Sequence, residues 1–251
     1  MEDLRPKIYQ YFIESDIDGR PINRIDRSTV YQRAKQDNDT MPFGTQIDVY
    51  APGYEWICHS IAPKSFKTLN HNPRILFGNK DCKQPYNGSI LNISAMSYGS
   101  LSANAVEAMN GGAKIGGFAH NTGEGGLSDY HLKQGGDVIW QIGTGYFGCR
   151  DEEGNFSAEL FSQKAQIPNV KMIEIKLSQG AKPGHGGILP AIKNTPEIAR
   201  IRHIAPGTTI ESPPFHTAFS TPKEMVRFIK KLRDLSGGKP VGFKLCIGHK
   251  S

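Results

Sequence analysis

The sequence predicts an α/β chain of parallel-barrel type behind an irregular lead, and three observations carry that reading. From about residue 88, short apolar runs alternate with helical patterns, which is how parallel strands joined by helices look in sequence. Of the 28 glycines, 13 fall between Gly99 and Gly148, in a stretch that also carries little charge. Two lysines, Lys176 and Lys244, stand inside runs that otherwise look like buried strands.

The elements follow in order. Residues 1–87 form a charged lead with aromatic clusters (Tyr11-Phe12, Tyr50, Tyr54, Trp56) and Pro-Gly or Gly-Thr turns, expected to wrap or cap the domain of residues 88–251. Ile90 to Ala95 predicts a first strand. Ser102 is placed to cap a helix carrying Ala105, Val106, Ala108 and Met109 at helical spacing, with its end loosened at Gly111-Gly112. Phe118 to Asn121, Val138 to Ile142 and Met172 to Leu177 predict three more strands. Thr195 followed by Pro196 predicts a capped helix over 198–204. Ser220 to Glu224 opens another, with Met225, Val226, Phe228, Ile229 and Leu232 on one face and a stop at Gly237-Gly238. Val241 to Cys246 is the fifth predicted strand. The near-continuous apolar character of these runs suits a sheet covered on both faces.

Composition narrows the function. In 251 residues, 37% hydrophobic and 22% charged, the chain is a globular one with room for a sizeable core. No run reaches the ~18–20 apolar residues of a membrane span. The residues after Met1 lack the apolar stretch of a secretory signal. Cys58, Cys82, Cys149 and Cys246 are widely spaced with no C-x-x-C pair, which points to reduced thiols in a cytoplasmic protein. The net charge of +6 is spread rather than gathered in one stripe, so no nucleic-acid partner is expected. His120, His203 and His216 lack metal-ligand spacing.

Three segments follow predicted strand ends: Met96 to Ser100, Asn121 to Gly126, and Gln179 to Gly187. Each sets glycines and one or two polar groups beyond the C-terminal end of a strand, where parallel α/β folds bind ligands. Glycine there lets backbone N–H groups approach a phosphate or a flat ring. A lysine inside a buried strand is costly unless it is paired or faces a ligand, so Lys176 and Lys244 point to an anion. Gln141, also inside an apolar run, can hydrogen-bond a heterocycle. The residues by themselves reach a rim built for an anionic, phosphate-bearing ligand. They name no reaction.

These segments resemble the FMN-binding synthase domain of the glutamate synthase family. The resemblance runs from about Asn92 to Gly248 and rests on four linked motifs: Ser94 to Ser102, Asn121 to Gly126, Lys176 to Gly184, and Ile201-Arg-His203 with Pro206-Gly207 and Ser212-Pro-Pro214. In the lead, Tyr11 to Asp16 and Pro42 to Gln46 are similar to the shorter stand-alone branch of that family. The resemblance implies a (β/α)8 TIM-type barrel with FMN at its mouth, reducing 2-iminoglutarate, formed from 2-oxoglutarate and ammonia, to glutamate. Carried over by motif, Glu124 and Lys176 would be catalytic. Met96, Ser97, Gly99, Ser100, Asn121, Gln141, Lys176 and Lys244 would hold the flavin, and Gln179 and Lys182 would bind the substrate. His185 and Tyr146 replace a Glu and an Arg of the large enzymes, and are positions where substrate choice can differ. The implied partners are a 2-oxoglutarate-like acid and an electron-donor protein or domain.

Only about five strand-helix units can be counted before Ser251. A closed barrel needs three more, so the expectation is a truncated barrel, or one that another chain completes. The alternative that follows is a catalytically incomplete fragment or a partner-completed binding module, with weak or absent FMN binding by these residues alone.

Overall fold

A computed structural model describes residues 24–38, 48–177 and 185–247. The chain divides into two units, Met1–Lys64 and Ser65–Ser251. In the first, helix α1 (Arg24–Ala34) is the regular element, and the Tyr54 and Trp56 rings stack at 6.0 Å. The lead motifs at 11–16 and 42–46 lie outside the described residues.

The second unit is built on four parallel strands in the order β3 (Ala119–Asn121), β4 (Asp137–Ile142), β5 (Val170–Lys176), β8 (Val241–Lys244). An antiparallel hairpin of β1 (Arg74–Phe77) and β2 (Tyr86–Ser89) precedes it. That hairpin braces the N-terminal ends of the strands: the Tyr86 hydroxyl donates to Asp137 Oδ2 at 2.9 Å, and Gln84 N–H donates to the Gly238 carbonyl at 3.0 Å. Its strands are four residues each, an apolar but half-exposed Arg-Ile-Leu-Phe and a polar Tyr-Asn-Gly-Ser, so the sequence carries no alternation to announce them.

The count of four corrects the expected five. Residues 90–95 run beside β3 but join it through a single parallel bridge, Ile93 to His120. The reason is local. Asn92 Oδ1 accepts from Ala119 N–H at 2.9 Å and Asn92 Nδ2 donates to the Ser89 carbonyl at 2.9 Å, so a side chain takes a place the backbone ladder would fill. Ile90 and Leu91 are 60% and 72% exposed, so burial adds nothing to hold the segment straight.

Helix α2 (Ala103–Gly116) starts as expected, with Ser102 Oγ accepting from Ala105 N–H at 3.3 Å, but it runs past Gly111-Gly112 to a left-handed cap at Gly117. Asn110 holds it there, exchanging hydrogen bonds with the Gly136 backbone at 3.0 and 3.4 Å. Helix α3 (Ala158–Ala165), unmarked by any strong sequence signal, is capped by Ser157. A two-stranded antiparallel pair, β6 (Ile188–Leu189) and β7 (Ile210–Glu211), flanks α4 (Pro196–Arg202), whose cap is Thr195. Helix α5 (Pro222–Leu235) opens with a reciprocal capping box between Thr221 and Glu224.

Strand alternation sorts the sheet into two unlike faces. Val138, Trp140, Ile142, Ile173 and Ile175 point one way, into a core with Phe161 and Ala165 of α3 and Phe228 and Leu232 of α5. Trp140 stacks on Phe161 at 5.2 Å. The opposite face is not the expected continuous apolar one. Register sets Gln141 beside Glu174 and Lys176 beside Lys244, with Asn121 one row below. No helix among the described residues is long and apolar enough to cross a membrane.

Candidate functional site

Polar side chains on that second face meet the glycine turns at the C-terminal ends of the strands. Lys176, the last residue of β5, holds its Nζ 3.0 Å from Glu124 Oε1, and the two side chains are 12% and 20% exposed. Glu124 comes from the turn after β3. A Cβ on Gly187 would stand 2.6 Å from Glu124 Oε1, and one on Gly143 only 2.7 Å from Glu124 Cβ, so both glycines are needed to let the carboxylate in.

The 96–100 segment closes the same rim. Met96 N–H donates to the Asn121 carbonyl at 3.0 Å and Ser97 Oγ accepts from Gly125 N–H at 3.3 Å. Gly123, at φ +65°, brings its backbone against Ser97 so closely that any side chain would collide with Ser97 Oγ. The segment carrying His185 to Gly187 joins through Ser212, whose N–H donates to the Gly187 carbonyl at 2.8 Å. The described residues of the three glycine turns therefore gather at one end of one sheet.

Not every expected residue faces the centre. Gly99 turns its free side toward Ile198 and Arg202 of α4, and Ser100 is exposed. Gln179 and Lys182 lie outside the described residues. Lys244 stands on the site face, level with Lys176 on the neighbouring strand. Like charges side by side on a sheet repel, which favours an anion between them.

Glu174 is the residue the sequence reading missed. Its Oε1 accepts from Asn121 Nδ2 at 2.8 Å and from Gln141 Nε2 at 2.6 Å, so both amides are oriented by one carboxylate. The signal was present: Glu174 is two residues before Lys176 in a strand, hence on the same face. Arg202 was quoted within a motif but given no role. It is buried, donates from Nη2 to the Tyr98 carbonyl at 3.1 Å, and lays its guanidinium over the Phe147 ring at 5.2 Å. Burial lowers its pKa and the nearby charge of Glu124 opposes that fall.

Tyr146 is fully buried at φ +48°, with its hydroxyl turned away from the rim toward His216 and Ala218. Burial lowers the His216 pKa, which favours the neutral ring, and the hydrogen bond to the Lys176 carbonyl opposes that fall. Met96 is held from beneath by His131, whose Nε2 lies 2.9 Å from the Met96 carbonyl.

Residues 49–251 match the family model described as the conserved region in glutamate synthase. The chain is 38% identical to the glutamate synthase large subunit-like protein YerD of Bacillus subtilis (strain 168), over 99% of its own length and 54% of the relative's. It is 37% identical to the archaeal glutamate synthase (NADPH) of Archaeoglobus fulgidus, over 62% of this chain and 28% of that one. With the glutamate synthase (NADPH) large chain of Azospirillum brasilense it shares 35% identity, over 60% of this chain and 9% of that one. The chain thus spans about half the length of YerD, and a family model covering residues 49–251 together with the YerD match over almost the whole chain make it a member of the glutamate synthase family.

Proposed function

We propose that the protein is an FMN-dependent oxidoreductase of the glutamate synthase type, forming glutamate from 2-oxoglutarate and ammonia. The observation that carries this is the Lys176–Glu124 pair at the centre of the converging glycine turns, with Lys244 level with Lys176. Close packing of Gly123 on Ser97 draws two of the glycine turns together at the strand ends, and two lysines on one face supply charge for a reduced flavin or a dicarboxylate. The residues therefore fit the group. Met96, Ser97, Gly99, Ser100, Asn121, Gln141, Lys176 and Lys244 would hold it, with Gly99 acting through its turn. Bound there, the flavin supplies the hydride chemistry.

The chain's own groups do the rest. Glu174 fixes the Asn121 and Gln141 amides. Lys176 would take a carboxylate of the acid, Glu124 would hold the Lys176 ammonium in place beside it, and Gln179 and Lys182 would complete the substrate contacts. Electrons come from a donor protein or domain. We read the four-stranded sheet as part of a (β/α)8 barrel whose pairing continues from β8, where Phe243 is 50% exposed. That free edge also favours a second reading, a module that needs further barrel strands before it works.

Protein expressed from its complete gene decides between them. The proposal expects bound FMN, released on denaturation, and reoxidation of the chemically reduced protein on adding 2-oxoglutarate with ammonium. Lys176→Ala should abolish that reoxidation. Reduction and reoxidation that ignore the acid and the lysine would overturn the assignment.

A further inference from the structure

We propose that His216 and Tyr146 form a positioning relay that fixes the end of β5 from which Lys176 projects. The inference rests on the reading above that Lys176 serves the acid substrate.

The backbone sets up the need. In a parallel strand, alternate residues direct their N–H and C=O groups to alternate neighbours. Ile173 and Leu177 bond β8, through Pro240 and Lys244, so Lys176 directs its carbonyl toward β4. But β4 ends at Ile142, whose register partner is Ile175. The Lys176 carbonyl has outrun its ladder. His216 takes the vacant place, with Nε2 2.8 Å from that oxygen.

A carbonyl only accepts, so Nε2 carries the ring proton and Nδ1 of the neutral ring is an acceptor. The group facing Nδ1 is the Tyr146 hydroxyl at 3.1 Å, which must therefore donate. That hydroxyl in turn accepts from Ala218 N–H at 3.1 Å. The chain of donors runs one way: Ala218 N–H to Tyr146 Oη, Tyr146 O–H to His216 Nδ1, His216 Nε2–H to Lys176 O. Thr217 also bonds the Tyr146 hydroxyl, from its backbone and its side chain, and the chain ties the loop after β4 and the loop before α5 to the residue that bears the site's ammonium group. Phe219 stacks on His216 at 4.9 Å and holds the ring plane.

The test uses the full protein with three variants, His216→Phe, His216→Gln and Tyr146→Phe. The first readout needs no turnover. Ring nitrogen NMR of His216, assigned by its loss in His216→Gln, should show the Nε2–H tautomer in wild type, and in Tyr146→Phe the same tautomer with Nδ1 shifted to the position of a nitrogen that accepts no hydrogen bond. The Nδ1–H tautomer in wild type would overturn the relay. The second is calorimetric affinity for 2-oxoglutarate. His216→Phe and Tyr146→Phe should weaken it about tenfold, the scale of a small misplacement. His216→Gln should recover most of that, because its amide can donate as Nε2 does. Folded His216→Phe with wild-type affinity would overturn the relay. If that variant does not fold, unchanged affinity in Tyr146→Phe does so instead. Wild-type protein that binds no dicarboxylate overturns the functional reading, while the tautomer measurement still judges the relay on its own.

Discussion

At the scale of single residues, crowding and proton economy can be separated from stability. Gly187 faces only the flexible tip of Glu124, so Gly187→Ala should leave the urea midpoint nearly unchanged, within about 0.5 kcal/mol, because nothing rigid is struck. The same substitution should abolish turnover by pushing the carboxylate off Lys176. Equal activity in the variant would remove Glu124 from the site. His120 makes the converse case. It is fully buried, and among the described residues neither ring nitrogen has a hydrogen-bond partner. His120→Leu should therefore be neutral or stabilising in urea denaturation, since it removes polar atoms that gain nothing from the fold.

Two buried rings also set an acid limit. Burial pulls His120 and His131 down from 6.5 to about 4. Below 6.5 the unfolded chain takes up protons that the folded chain refuses, so stability is complete above pH 6.5 and drains away as pH falls toward 4. The slope is about 1.4 kcal/mol per pH unit for each ring. Denaturation midpoints measured across that window in wild type and His120→Leu should differ by one ring's share of the slope.

Among the elements, Glu174 acts as a stitch across β3, β4 and β5, because Asn121 and Gln141 both donate to it. Glu174→Leu leaves two largely buried amides without their acceptor and should cost about 2–5 kcal/mol, read from chemical denaturation. Legibility at this scale followed length and apolar content. β4, β5, β8 and the caps at Ser102, Thr195 and Thr221 were readable because each is a local signal. The β1–β2 hairpin was not, since Tyr-Asn-Gly-Ser has no strand pattern and is held by Asp137 far along the chain. The failed strand at 90–95 turned on one Asn side chain. Of the candidate site, Lys176 stood out as a charge in an apolar run, while Glu124 was singled out by the family resemblance of its glycine turn. Arg202 and the Tyr146 hydroxyl could not be found in this way, because their partners are 104 and 70 residues away.

For the molecule as a whole, the described sheet has an open side. β8 pairs with β5 alone, and Phe243, Leu245 and Ile247 at or beyond it are exposed. Unpaired apolar edges recruit other strands. A polypeptide of these 251 residues should self-associate, and Phe243→Lys should lower light scattering at equal concentration without moving the far-ultraviolet circular dichroism.

The slot around Glu124 has one more consequence. Its walls at Gly143 and Gly187 are made of absent methyl groups, so the carboxylate is confined by what those two positions lack. Enlarging either position displaces the Glu124 side chain before it fills any free space, so the residues that can vary around the slot are those of the surrounding loops.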